Sequence, residues 1–191
     1  MRDIPVGNYS FDLNTPSASY EFQFSVNDGE TNRDILNKLA RLINSANLGL
    51  KTEIFTPFVC GAFTSLYSKD AVEESFAQGK IVFFAGGTGH PYFSTDTATV
   101  LRAVEIEAEA ILLAKAVDGI YDSDPKTNPN AVRYDEVSIE EVVAKKLQAM
   151  DLTASIMCME QKMPMLVFAL DEEDSIINAV HGKFTGTKVT V

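Results

Sequence analysis

Positive charge, histidine and cysteine are all scarce in this chain, and each shortage removes a class of function. Lys and Arg total 16 against 27 Asp and Glu, a net charge of −11, whereas a nucleic-acid polymer is bound by a basic stripe that displaces counterions. No such stripe occurs, so a polymeric nucleic acid is not the expected partner. A small phosphorylated ligand is still compatible, because backbone dipoles and one or two cations hold it within an acidic protein. The two histidines, His90 and His181, form no HExxH or comparable ligand set, which removes a metal hydrolase. Cys60 and Cys158 are too few for a disulfide framework or a cysteine-rich metal site, and each is expected as a small core residue. No apolar run is long enough to span a bilayer, and Asp3, Pro5 and Asn8 interrupt the N-terminus where a signal sequence would need apolar residues. A cytoplasmic protein with no membrane partner is therefore expected. Glycine is also thin early on: before residue 60 there are only Gly7, Gly29 and Gly49, never clustered.

Glycines do cluster between Ile81 and Asp96, in IVFFAGGTGHPYFSTD. Lys80 to Phe84 reads as a strand buried on both faces, being short, apolar, rich in β-branched and aromatic residues and bounded by glycine. Gly86, Gly87 and Gly89 then let the backbone turn sharply and bring N–H groups close to a ligand, and a helix N-terminus follows with unpaired donors and a positive dipole end. Hydroxyls at Thr88, Ser94, Thr95 and Thr97 add hydrogen-bonding groups. That order suits an anion, a phosphate above all. It equally suits a tight strand-to-helix connection capped by Ser94 or Thr95.

At 191 residues the chain is long enough for one sizeable domain, and residues 1–191 are expected to form one. From residue 31 helix and strand alternate, the mark of an α/β sheet with helices on its faces. Thr31 caps a helix through Ile35, Leu39, Leu42, Ile43 and Ala46, ending near Gly49; Leu50 to Phe58 is a strand broken by Pro57; Asp70 to Ala77 is a short helix stopped by Gly79. Thr95 to Ala108 is the next helix and Ala110 to Val117 the next buried strand. Residues 118–137 form a long polar loop of the kind that carries function. Ser138 and Glu141 make a capping box for a helix through Leu147, and Asp151 opens another to about Gln161. Met163 to Leu170 is a strand, Asp171 to Asp174 place negative charge at a helix start, and Gly186 to Val191 closes the fold as an edge strand. Residues 1–31 differ. Tyr20, Phe22, Phe24 and Val26 alternate with polar residues as in an antiparallel strand, followed by a turn at Asn27-Asp28-Gly29 and preceded by an irregular segment.

Taken together, GGTGHPYFSTDTATVLRAVEIEAEAILLAKAVDGIYDSDPKTNPNAVRYDEVS resembles the bacterial uridylate (UMP) kinases of the amino acid kinase superfamily. The likeness continues through KLQAMDLTASIMCMEQKMPMLVFAL and GKFTGTKV, strongly over 80–191 and weakly over 33–79. It implies a three-layer α/β/α sandwich with a mainly parallel central sheet, an atypical or truncated N-terminal part, and ATP-dependent phosphorylation of UMP to UDP with Mg²⁺. By resemblance Thr88, Gly89, His90, Pro91, Tyr92, Phe93, Ser94 and Thr95 line the UMP site. Tyr92 and Phe93 would offer stacking surface there or else pack in the core, and His90 stands where the family usually has Asn, which would make binding pH-dependent. The resemblance also implies that Lys115, Tyr121 and Asp124 help hold ATP; Tyr121 otherwise closes the loop over the core, and Asp124-Pro125 is also a common turn pair. By resemblance Asp96 and Asp151 are the catalytic carboxylates near the phosphoryl-transfer centre, or they equally serve as helix-start caps. The resemblance further implies a homo-oligomer, a hexamer in relatives, with GTP and UTP as effectors.

Two family features are absent: an N-terminal strand ending in a lysine and a glycine-rich loop, and a second strand ending in several glycines. Lys38 and Lys51 lie in other contexts, and Gly182-Lys183 with Thr185 is no phosphate loop because the upstream glycine is missing and a helix precedes it. The alternative to a UMP kinase is therefore a catalytically impaired relative that binds uridine nucleotides or serves a structural role.

Overall fold

The computed structural model describes residues 7–15, 18–26, 51–61, 64–148, 150–183 and 185–191, those before residue 51 by backbone alone. The chain divides into two compact units, Met1–Gly89 and His90–Val191. The expected helix at 31–49 and the turn at Asn27 to Gly29 lie outside the described residues.

The first unit opens with a hairpin, β1 (Gly7–Thr15) and β2 (Ala18–Val26), paired antiparallel so that Tyr9 is opposite Phe24 and Phe11 opposite Phe22. The antiparallel strand at 18–26 was expected, whereas the segment before it is a strand instead of irregular chain. Its own alternation of Tyr9, Phe11 and Leu13 with Ser10, Asp12 and Asn14 matches that of its partner, and a strand gains most from a neighbour of equal period. A separate parallel sheet follows, in the order β4-β3-β5, built from β3 (Lys51–Thr56), β4 (Ser65–Leu66) and β5 (Lys80–Phe84). Glu53 ties all three strands together, accepting from Ser65 Oγ at 2.6 Å and from Lys80 Nζ at 3.0 Å. Helix α1 (Lys69–Ala77), capped by the Ser68 hydroxyl, connects β4 to β5 and ends before Gly79, whose φ of +68° suits a residue without Cβ. Among the described residues β5 pairs with β3 alone, and all five of its residues are half-buried, short of the burial on both faces expected for them.

The second unit holds a mixed sheet ordered β6-β8-β9-β7, from β6 (Ile111–Lys115), β7 (Glu136–Ser138), β8 (Met165–Ala169) and β9 (Gly186–Thr190). Strand β8 runs parallel to β6 and antiparallel to β9, which in turn runs parallel to β7. Helices α2 (Thr95–Glu105), α3 (Ile139–Lys145), α4 (Leu152–Glu160) and α5 (Ser175–Val180) complete the unit. Ser138 caps α3, accepting from the Glu141 amide at 3.2 Å, while the Glu141 carboxylate takes the Lys145 ammonium; the helix stops at Lys145 because Lys146 turns left-handed, and its amide and that of Leu147 close back onto Val143 and Val142. Val100, Ile111, Ile120, Ile139, Val142, Met165, Val167 and Val189 form the core, with Cys158 fully buried among them and its thiol pushed up to about 11 by burial. Cys60, expected in a core, is only partly buried. The sheets are parallel-dominated and the chain is mixed α/β, as expected. No helix among the described residues is long and apolar enough to cross a membrane.

One expectation reverses. The final strand is interior to its sheet, between β8 and β7, with Thr187 and Val189 buried and Lys188 outward. Its first residue has to be glycine, since a Cβ on Gly186 would stand 2.3 Å from the Val167 carbonyl oxygen. The Thr187 hydroxyl is the hinge between this strand and the polar loop: it accepts from the Ile120 amide at 2.8 Å and donates to the Tyr134 carbonyl at 2.6 Å. Thr187→Val keeps the shape and strands both backbone groups, so unfolding free energy should fall by about 2–4 kcal/mol in urea denaturation. A loss below about 0.5 kcal/mol would show that the loop does not depend on this hydroxyl.

Candidate functional site

In the first unit, parallel pairing brings the carboxyl ends of β3 and β5 side by side, the end of an α/β sheet where ligands commonly bind. The Ala85 amide donates to the Phe55 carbonyl at 2.9 Å, and the chain then turns through Gly86, Gly87 and Gly89, with φ of +87°, +64° and +77°. A Cβ would lie 3.1 Å from Pro57 Cδ at Gly86 and 2.9 Å from Pro57 Cβ at Gly89. Pro57, legible in the sequence only as a strand breaker, is thus the surface against which the glycine turn folds. Thr88, in the same turn, is partly buried.

The second unit begins with the rest of the motif. His90, Pro91, Tyr92 and Phe93 are exposed, Tyr92 completely and Phe93 by 55%. Packing in the core, the other role considered for both rings, is therefore not theirs. Tyr92 holds φ at +71°, a conformation that costs a bulky residue energy and that concentrates at functional sites. Ser94 caps α2, accepting from the Thr97 amide at 3.0 Å, and leaves Thr95 as the first helical residue.

Asp151 ties this helix start to another. It caps α4 by accepting from the Ala154 amide at 2.9 Å, and it also accepts from the Ser94 hydroxyl and, at 3.2 Å, from the Thr97 hydroxyl. Burial disfavours its charge, but the bonds from Ser94, the Ala154 amide and Thr97 outweigh that and hold the carboxyl below its ordinary range. Asp96, in the first turn of α2, receives the Lys115 ammonium at 3.0 and 3.1 Å, with both side chains largely but not wholly buried. Lys115 is the last residue of β6, so a strand end delivers a cation to a helix N-terminus. The first turn of α2 thus carries two separate polar groups, Ser94 and Thr97 on Asp151 and Asp96 on Lys115.

The other residues expected at the ATP site stand elsewhere in this unit. Tyr121 and Asp124 line a cleft of about 280 Å³ whose remaining wall includes Gly119, Lys126, Lys145 and Lys146. Lys115 is not part of it, being engaged with Asp96. Asp124 organises a turn, its carboxylate accepting from the Lys126 amide at 2.9 Å and its carbonyl from Asn128 at 2.8 Å. Tyr121 pairs with Arg133 in an isolated antiparallel bridge and donates its hydroxyl to Asp118 at 2.7 Å, while Arg133 reaches the same carboxylate at 2.5 Å. Burial opposes the Asp118 charge, yet the bonds from Tyr121 and Arg133 lower its proton affinity overall, and the same bond raises that of the Tyr121 phenol. Asp118, Arg133, Lys145 and Lys146 carried no recognisable local signal; only the tendency of cations to gather at helix C-termini hints at the two lysines.

The amino acid kinase family model matches residues 25–169. The chain belongs to the amino acid kinase family. Among solved structures this amino acid kinase is similar to the UMP kinase of Ureaplasma parvum, with 34% identity, a TM-score of 0.74, and coverage of 82% of this chain and 67% of that one. The UMP kinase of Bacillus anthracis is 31% identical with a TM-score of 0.74, covering 82% of this chain and 65% of that one. The uridylate kinase of Archaeoglobus fulgidus is 28% identical with a TM-score of 0.58, covering 81% and 67%. The chain thus spans about two thirds of the length of these structures.

The depressed Asp151 carboxyl gives this family member a pH signature. A carboxylate held below its unfolded value of about 3.9 stabilises the fold above that pH and loses its contribution as pH falls through the lower folded value. Asp151→Ala should cost about 1–2 kcal/mol at neutral pH and flatten the decline of stability below about pH 4, whereas Asp151→Asn should keep most of the cap and still flatten the decline. Denaturation measured from pH 7 to pH 2 checks this; unchanged acid slopes in both variants would remove Asp151 from the linkage.

Proposed function

We propose that this chain acts on uridine nucleotides as a UMP kinase, transferring the γ-phosphoryl group of MgATP to UMP to give UDP and ADP. The observation that supports it most is the pair of polar groups at the start of α2, Ser94 and Thr97 with Asp151 and Asp96 with Lys115, in a chain about one third identical to enzymes named as UMP kinases. In the transfer, the bond between the γ-phosphorus and the β,γ-bridging oxygen breaks and a bond forms to a phosphate oxygen of UMP. That oxygen is largely ionised at neutral pH, since a phosphate monoester has its second pKa near 6, so no strong base is required. Catalysis becomes positioning and charge neutralisation. Residues 88–95 would hold the UMP phosphate through amides and hydroxyls, Lys115 would meet charge on the transferred group, and Asp96 would hold Lys115 in place. Asp151 orients Ser94 and Thr97.

Magnesium enters with ATP. Among the described residues no group of three His, Cys, Asp or Glu side chains could cage a metal, and a donor set of single carboxylates fits an ion that draws most ligands from phosphates and water. Asp96, which caps no helix, would be the carboxylate of the set to contribute, beside its bonds to Lys115. When bound, the ion would spread the charge of the phosphate oxygens; Tyr121, Asp124 and the lysine-lined cleft would receive the rest of the donor nucleotide. A second reading, a nucleotide-binding relative with impaired catalysis, is favoured by the scattered glycines before residue 60, where relatives carry a lysine and glycine-rich loops.

Purified protein given UMP, ATP and Mg²⁺ should form UDP, read by chromatography. Thermal stabilisation by UMP without turnover would support the second reading, and no response to uridine nucleotides would dismiss both. Thr95→Ala should weaken UMP binding about fivefold, the worth of one hydrogen bond. Unchanged affinity would remove the Thr95 hydroxyl from the phosphate site.

A further inference from the structure

The polar loop after β6 is a folded arm. Residues 120–122 and 132–134 run antiparallel: the Tyr134 amide donates to the Ile120 carbonyl at 2.9 Å, the Asp122 amide to the Val132 carbonyl at 3.0 Å, and the Val132 amide to the Asp122 carboxylate at 3.0 Å. Asp118 sits at its base and holds two side chains at once, the Tyr121 hydroxyl and the Arg133 guanidinium. The arginine stem crosses Gly119 so closely that a Cβ there would lie 2.7 Å from Arg133 Cδ. Gly119 and Tyr121 line the cleft, but Asp118 and Arg133 do not. The pair therefore touches the cleft only through the residues it holds.

We propose that Asp118 and Arg133 are positioning residues for the nucleotide cleft, fixing the Tyr121 ring in its wall and thereby setting the affinity for MgATP without touching the nucleotide. This rests on the reading of that cleft as the donor-nucleotide half of the site. A phenol free to rotate must be ordered when a ligand binds against it, and ordering beforehand removes that cost. Asp118 supplies the order, and Arg133 keeps Asp118 ionised and in place. The charge of Arg133 matters more than its exact shape, since Asp118 takes it through one terminal nitrogen.

The test is calorimetric titration of MgATP, and separately of UMP, into the full chain and its variants. Asp118→Asn and Arg133→Met should each weaken MgATP about fivefold to tenfold, in line with a lost charge-assisted hydrogen bond, while UMP affinity stays within about twofold. Arg133→Lys should recover most of the loss. Tyr121→Phe should weaken MgATP to a similar degree, and adding Asp118→Asn to it should cost little more, because both remove the same bond. Failure of the unmodified chain to bind MgATP, or binding indifferent to Tyr121→Ala, would overturn the cleft reading and the positioning role with it. Normal MgATP binding by Asp118→Asn and Arg133→Met, equal losses for UMP and MgATP, or effects that multiply with Tyr121→Phe would overturn the positioning role alone. If Asp118→Asn does not fold, the Arg133 and Tyr121 variants decide the same question.

Discussion

A single carboxylate, Asp151, determines how the chemistry of the second unit is assembled. It completes the N-terminus of α4 with its Oδ1 and takes hydroxyls from Ser94 and Thr97 in the first turn of α2. Two helix starts, separated by more than fifty positions in the chain, are thus held by one anion. The arrangement is stable because an N-terminus wants negative charge and unpaired amides want acceptors. It also fixes where Asp96 stands, one residue before Thr97, and so where Lys115 is received.

The electrostatic consequence is local. The chain carries a net charge of −11, yet near α2 its carboxylates are matched: Asp96 by an ammonium, Asp151 by hydroxyls and amides. A cation held by one carboxylate still offers field and hydrogen bonds to a phosphate, whereas a bare carboxylate would repel it. Local pairing, not net charge, governs what this turn can bind. The cleft beside Tyr121 is lined by both signs of charge, Lys126, Lys145 and Lys146 together with Asp122 and Asp124.

Much of this was legible in the residues. Ser94, Ser138 and Asp151 announce helix starts because a short oxygen-bearing side chain before an apolar periodic run satisfies orphan amides locally. The strands at 80–84, 111–115 and 165–169 are largely apolar runs of the right length, whereas 51–56, KTEIFT, gives a weaker signal. Other features were not legible because they depend on distant partners. Strand β1 could be recognised only beside β2, β7 lies hidden at the end of a polar loop, and the last strand is interior because β7 pairs along its far side. The association of Lys115 with Asp96 instead of with Tyr121 and Asp124 follows from the position of a strand end, which no spacing in the chain reveals.

The sequence by itself determined the α/β alternation, the helix caps, the glycine turn and the resemblance to a nucleotide kinase family, since each rests on interactions between residues a few positions apart or on an ordered series of motifs. Only the tertiary structure decided that Asp151 joins Ser94 and Thr97, that Asp118 holds Tyr121 and Arg133, and that Thr187 locks the loop to the sheet. Those bonds connect residues brought together by chain crossovers, and their strength depends on burial and on partners that local sequence does not encode.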